Sequence, residues 1–209
     1  MTRSIILLTG AREVPFFEEF LLERNRELQI LAAYNAEDLA NAVEQTGGNA
    51  RLISFVTDII VPRTLLSKLK LTPYNIHPAP PEFPGSHADS FAIWEGADTY
   101  GVTAHEMMPS VDSGPIVAVC RFPMPERPER VALSDFAYSK AVEVFAVVAA
   151  HCAECDDPMP PVPHEYWSGQ KRTRAQFKAL CDSLPSFSGE DAQRLKRACG
   201  PDLNSDQAG

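Results

Sequence analysis

Thr72-Pro73-Tyr74-Asn75-Ile76-His77-Pro78 alternates apolar Tyr74 and Ile76 with polar Asn75 and His77, the period of a β-strand whose two faces differ. Asn75 and His77 then share a face. Pro78-Ala79-Pro80-Pro81-Glu82-Phe83-Pro84-Gly85 follows; each proline removes a ladder donor and fixes φ, so the strand ends where its polar residues emerge. In open α/β sheets the ligand crevice lies outside the carboxyl ends of the strands, which makes this amide and imidazole a candidate site. Further on, Tyr100-Gly101-Val102-Thr103-Ala104-His105-Glu106 alternates again and gives way to Pro109-Ser110-Val111-Asp112-Ser113-Gly114-Pro115, before an apolar run resumes at Ile116. Asp112 is thereby placed on a short loop between two strands. An amide, an imidazole and a carboxylate can converge.

Working back from that stretch, Ser4-Ile5-Ile6-Leu7-Leu8-Thr9-Gly10 is an apolar run ending in glycine, the opening of a parallel-sheet domain. Residues 15–26 carry Phe16, Phe17, Phe20 and Leu21 at helical spacing. A second strand over 28–34, a helix over 36–45 stopped by Gly47-Gly48 and a third strand over 52–56 continue the alternation. The pattern predicts an α/β fold, a doubly wound, mostly parallel sheet. Residues 58–66 lead into a short helix ending near Leu69. The turn Gly10-Ala11-Arg12-Glu13 lacks a glycine cluster, so it is neither a dinucleotide fingerprint nor a P-loop. Arg12 stands at a helix start as a candidate anion contact, against the plainer reading of a solvated surface residue.

Working forward, residues 86–96 read as a helix capped by Ser86 with Asp89 in a capping-box position, and residues 132–154 as a long amphipathic helix. Pro158, Pro160, Pro161 and Pro163 break the pattern. Beyond them, Thr173 with Gln176 suits a capped helix to Leu184, and Ser188 could cap a last helix over 189–199. The expected organisation is a catalytic α/β domain over 1–157, a Pro-rich linker and helical appendage over 158–200, and a disordered tail over 201–209.

Composition narrows the function classes. A formal charge of −9 over 209 residues argues against a sequence-independent nucleic-acid surface, which needs a basic footprint. No apolar run approaches the roughly 18 residues of a membrane span. Five cysteines, widely spaced and without a signal peptide, fit thiols in a reducing cytoplasm. Cys152 and Cys155 form a C-x-x-C without a second pair. His77, His87, His105 and Asp112 match no compact ligand motif, so no metal is expected.

Asn75-Ile76-His77-Pro78, Phe83-Pro84-Gly85, Gly101-Val102-Thr103-Ala104-His105 and Val111-Asp112-Ser113-Gly114-Pro115-Ile116-Val117, in this order over about 45 residues, resemble the catalytic half of the folate-dependent formyltransferases. That family includes glycinamide ribonucleotide, methionyl-tRNA and sugar N-formyltransferases and formyltetrahydrofolate deformylase. The resemblance implies Asn75, His77 and Asp112 as catalytic residues acting on the formyl group of 10-formyltetrahydrofolate, with His105 supporting them from behind. It implies Val56, Ile59, Ile60, Leu65 and Val111 as candidates around the pterin ring, and Arg12, Pro78 and Gly85 as candidates toward a small-molecule amine acceptor. Two features depart from the family's pattern: Ala79-Pro80-Pro81 replaces a serine, two leucines and a proline in a loop one residue shorter, and the amino-terminal half is short, with about two βα units and Leu52 to Leu71 before Asn75. Both bear on the acceptor.

Formyl transfer to an amine develops an oxyanion, so a site needs a donor aimed at that oxygen and a group that handles protons. Asn75 offers the amide N–H, His77 the acid or base, and Asp112 a carboxylate that stabilises the imidazolium and raises its pKa from roughly 6.5. The three are expected at the mouth of the sheet. Water as acceptor would make a hydrolase with the same site, and a non-catalytic folate-binding protein is the reading from another class. The assembly state is left open, a homodimer being one option.

Overall fold

The computed structural model describes residues 3–200; the tail expected at 201–209 lies outside the described residues. The elements are β1 (Ser4–Leu8), α1 (Val14–Arg24), β2 (Gln29–Ala33), α2 (Ala36–Gln45), β3 (Ala50–Phe55), α3 (Arg63–Leu66), β4 (Tyr74–His77), α4 (Ala88–Glu95), β5 (Thr99–Glu106), β6 (Ile116–Pro123), α5 (Arg130–Glu154), α6 (Arg174–Asp182), a 3-10 turn at Leu184–Ser186, and α7 (Gly189–Cys199). The strand order is β2-β1-β3-β4-β5-β6. β1 pairs in parallel with β2 and β3, β3 with β4, and β5 runs antiparallel to β4. This is the mostly parallel α/β sheet that the alternation of elements predicts. Every residue of β1 and β3 is buried, as central parallel strands covered on both faces must be.

The chain divides into two compact units. The first runs to His77 and adds Thr103–Val119 and Ala141–Tyr166; the second holds Pro78–Val102, Cys120–Lys140 and the chain from Trp167 on. β5, β6 and α5 are therefore each split between units.

In the first unit, α2 is capped by Asn35, whose side chain accepts from the N–H groups of Glu37 and Asp38. That helix buries Leu39, Ala42 and Val43 against Ile6, Leu8 and Leu52. On α1, Phe17 stacks on Phe145 with ring centroids 3.7 Å apart and meets Phe55 edge-on. Arg51 on β3 is 1% exposed. Its guanidinium donates to the carbonyls of Thr72 (3.0 Å), Cys155 (3.3 Å), Asp156 (2.7 Å) and Asp157 (3.3 Å). A cation at the carboxyl end of α5 complements the helix dipole and ties the following segment to the sheet. The Tyr74 hydroxyl accepts from the Met159 N–H at 2.7 Å, a second tie to the same segment. Cys152 lies beneath, and burial pushes its thiol up to about 12, so half of the C-x-x-C is an inert core residue.

In the second unit, Phe91, Phe177, Leu195 and Cys199 form a small core flanked by Phe83, Trp94, Leu180 and Phe187. Cys181 and Cys199 are bonded as a disulfide, which corrects the expectation of five thiols. Packing α6 beside α7 brings the two Cα atoms to 5.8 Å; the spacing along the chain carries no such signal. The start of α4 also differs from the expected cap. His87 is the N-cap at φ 56 with no side-chain cap bond, because the Ser86 N–H donates to the Arg172 carbonyl, placing Ser86 outside the helix. Asp89 instead accepts from the Ser134 hydroxyl at 2.5 Å and faces Arg130 at 3.5 Å. Thr173 and Gln176 do form the reciprocal capping box, whereas Ser188 makes no side-chain cap bond. No helix among the described residues is long and apolar enough to cross a membrane.

Candidate active site

The register of β4 against β5 sets Asn75 opposite His105 and His77 opposite Thr103, so Asn75, His77 and His105 project from one face of the pleat. Asn75 Nδ2 lies 3.2 Å from His105 Nε2, and His105 Nδ1 lies 2.8 Å from the Glu106 carbonyl oxygen. A carbonyl only accepts, so Nδ1 carries hydrogen, and Nε2 is the ring atom turned toward the Asn75 amide. That contact fixes the amide plane.

Asp112 arrives from the loop after β5, which folds back along the strand it has left. The Glu106 N–H donates to the Pro115 carbonyl at 2.9 Å, and a Cβ on Gly114 would lie 2.0 Å from the Glu106 carbonyl oxygen. Only glycine permits that approach. Asp112 itself sits at φ 48, in the left-handed region that aspartate tolerates better than most residues. Its Oδ1 is 3.4 Å from His105 Nε2 and its Oδ2 3.8 Å from His77 Nδ1, with a side chain 2% exposed. One carboxylate thus faces two imidazoles. His77, His105 and Asp112 are 8%, 3% and 5% exposed and Asn75 is half-buried, so the residues expected at the mouth of the sheet lie largely under cover.

The other candidates are spread around this centre. β3 is parallel to β4, so the chain after Phe55 emerges at the same end as His77. There Val56 donates its N–H to the Ile76 carbonyl at 3.3 Å and holds φ 42, a conformation that a β-branched residue adopts only when its surroundings impose it. Ile59 and Leu65 pack half-buried on the Ile6, Leu8 and Leu52 cluster, while Ile60 is 71% and Val111 40% exposed. The Arg12 side chain points outward, with Nε 3.4 Å from the Glu13 carboxylate. Pro78 and Gly85 belong to the second unit; the Pro78 carbonyl accepts from the Tyr100 hydroxyl and Gly85 abuts the Arg172 main chain. Among the described residues no group of three or more His, Cys, Asp or Glu side chains could hold a metal ion.

His105, expected to support the other three, lies against both Asn75 and Asp112. The alternation of β5 gives its face; only the strand register puts it opposite Asn75.

A family model described as formyl transferase matches residues 38–145. No curated protein matches the sequence. Among solved structures, a sugar N-formyltransferase from a Shewanella species superposes with a TM-score of 0.78 at 18% identity, over 95% of this chain and 88% of that one. An N-formyltransferase from Helicobacter canadensis, in complex with folinic acid and dTDP-3-aminofucose, gives 0.67 at 16% identity over 95% and 81%. HypX from Aquifex aeolicus, in complex with tetrahydrofolic acid, gives 0.64 at 18% identity over 94% of this chain and 34% of its own length. At such identities the likeness is one of fold.

Proposed function

Since the chain belongs to the formyl transferase family, its model matching residues 38–145, we propose that it transfers the formyl group of 10-formyltetrahydrofolate to the amine of a small molecule. The observation that carries this reading is the convergence of Asn75, His77 and Asp112, with His105, on one face of β4 and β5. The folate supplies an activated formyl group, and the donor set fits it: a neutral amide N–H for a carbonyl oxygen gaining charge, and an imidazole backed by a carboxylate for the proton the amine must lose. Asn75, held in plane by His105, directs its N–H at that oxygen. His77 takes the amine's proton as the new C–N bond forms and gives it to the tetrahydrofolate nitrogen as the old C–N bond breaks, and Asp112 stabilises the imidazolium in between. Val56, Ile59, Ile60, Leu65 and Val111 offer apolar surface to a flat pterin, the exposed Ile60 and Val111 having most to gain from cover. Arg12, Pro78 and Gly85 remain the residues assigned to the acceptor. An amino sugar is the first acceptor class to try, as the Helicobacter canadensis enzyme is complexed with one.

The test is incubation with 10-formyltetrahydrofolate alone and with a panel of nucleotide-linked amino sugars and simpler amines, following release of tetrahydrofolate. Release that depends on an amine is the expected result. Release without any amine identifies water as the acceptor and a hydrolase. No release under either condition, with no folate-dependent rise in melting temperature, rejects the proposal.

A further inference from the structure

Residues 78–86 carry the chain directly out of His77, and Pro78, Pro80, Pro81 and Pro84 deprive that loop of four N–H donors. It cannot build a ladder of its own, yet Ala79, Pro80, Pro81 and Pro84 are buried, and buried carbonyls need partners. For Pro81 and Pro84 those partners come from the far end of the sequence. The N–H groups of Ser168 and Gly169 both donate to the Pro81 carbonyl (3.2 and 3.4 Å), the Arg172 N–H donates to the Pro84 carbonyl (3.0 Å), and the Ser86 N–H donates to the Arg172 carbonyl (3.0 Å). Gly85 and Arg172 pair as a parallel bridge.

Two glycines make this approach possible. A Cβ on Gly169 would lie 1.7 Å from the Glu82 carbonyl oxygen, and one on Gly85, at φ +94, 2.2 Å from that of Arg172. The segment is then fastened on its outer side. The Arg172 guanidinium pairs with Glu95 on α4 and lies 4.9 Å from the Phe91 ring centroid, and Thr173 begins α6 with its capping box. At the near end of the loop, the Tyr100 hydroxyl donates to the Pro78 carbonyl at 3.1 Å. That donor is dependable, because burial, helped by the nearby Asp89, pushes the Tyr100 pKa well above its ordinary value.

We propose that residues 168–172 are a positioning strap for His77: with Tyr100 they fix the peptide segment that leaves the catalytic imidazole. The inference rests on His77 acting in formyl transfer as proposed above. Its physical basis is that small misplacements originating away from the chemistry can remove about 10²-fold in rate.

The test compares wild type with Gly169→Ala by steady-state kinetics, by melting temperature and by the imidazole NMR signals of His77 in the ligand-free protein. In the folded variant the His77 signals should shift or broaden, and kcat should fall about tenfold or more while KM for 10-formyltetrahydrofolate stays within about twofold. A kcat loss no larger than the loss of folded protein, with His77 signals as in wild type, overturns the strap. Should Gly169→Ala fail to fold, Tyr100→Phe carries the same forecast and the same refutation, since it keeps the ring and removes only the donor. A wild type without turnover defeats the transferase reading, while the NMR comparison still decides the strap.

Discussion

Asp112 is the residue on which the site turns, because a carboxylate with a 2% exposed side chain faces both His77 and His105. Truncating Asn75, His77 or Asp112 to alanine should each lower turnover of 10-formyltetrahydrofolate by about 10² to 10³. The His77/Asp112 double variant should be little worse than His77→Ala alone, since Asp112 acts largely through that ring. Steady-state kinetics on the four proteins check this; wild-type turnover in His77→Ala would remove the imidazole from the mechanism. Asp112→Ala should also cost about 1–3 kcal/mol of stability, as buried polar partners are left unmatched. At this scale much was legible. Asn75 and His77 announce themselves by alternation ended by proline, and Asp112 by its turn-rich loop. The fold-back of that loop was not, because a Gly114 packed on the Glu106 carbonyl reads in sequence as one more turn glycine.

Among the elements, β3 is tied to the chain after α5 by one side chain. Arg51 donates to four main-chain carbonyls and has no carboxylate among those partners. Arg51→Met keeps the bulk but strips those acceptors of their donor, and should lower unfolding free energy by about 3 kcal/mol, as other losses of buried charged hydrogen bonds do. Urea titration followed by fluorescence measures it; a midpoint equal to wild type would mean that water replaces the guanidinium without loss. Element types follow from local pattern, and α2 at Ala36–Gln45 matches its sequence reading because its apolar period and its Asn35 cap agree. The start of α4 does not, and the reason lies far along the chain: Arg172 occupies the Ser86 main chain, a competition that no local window contains. Arg51 was missed for a similar cause. It precedes the apolar run of β3, where a charged residue reads as a strand boundary.

For the molecule as a whole, the covalent link between α6 and α7 gives the second unit a staple its small core lacks. Cys181 and Cys199 are 18 residues apart, and closing a loop of this size is worth about 3 kcal/mol in the chain-entropy model. Calorimetry with and without a reductant should therefore show a lower melting temperature for the reduced protein, and Cys181→Ser should reproduce that shift and abolish the response to reductant. An unchanged melting temperature would mean that packing of Phe177 and Leu195 suffices. The α/β class was readable from alternating elements, but the division into units was not, since three of its five boundaries cut through β5, β6 and α5, where no linker composition marks them. That interleaving has a consequence for synthesis. The first unit draws its last segment from Ala141–Tyr166 and the second begins its last at Trp167, so a ribosome must release most of the chain before either unit has all its parts. Unlike a protein whose leading domain closes while the rest is still being translated, this one can pair β4 with β3 and β5 early but completes each unit only by gathering distant segments across long loops, the slow kind of search.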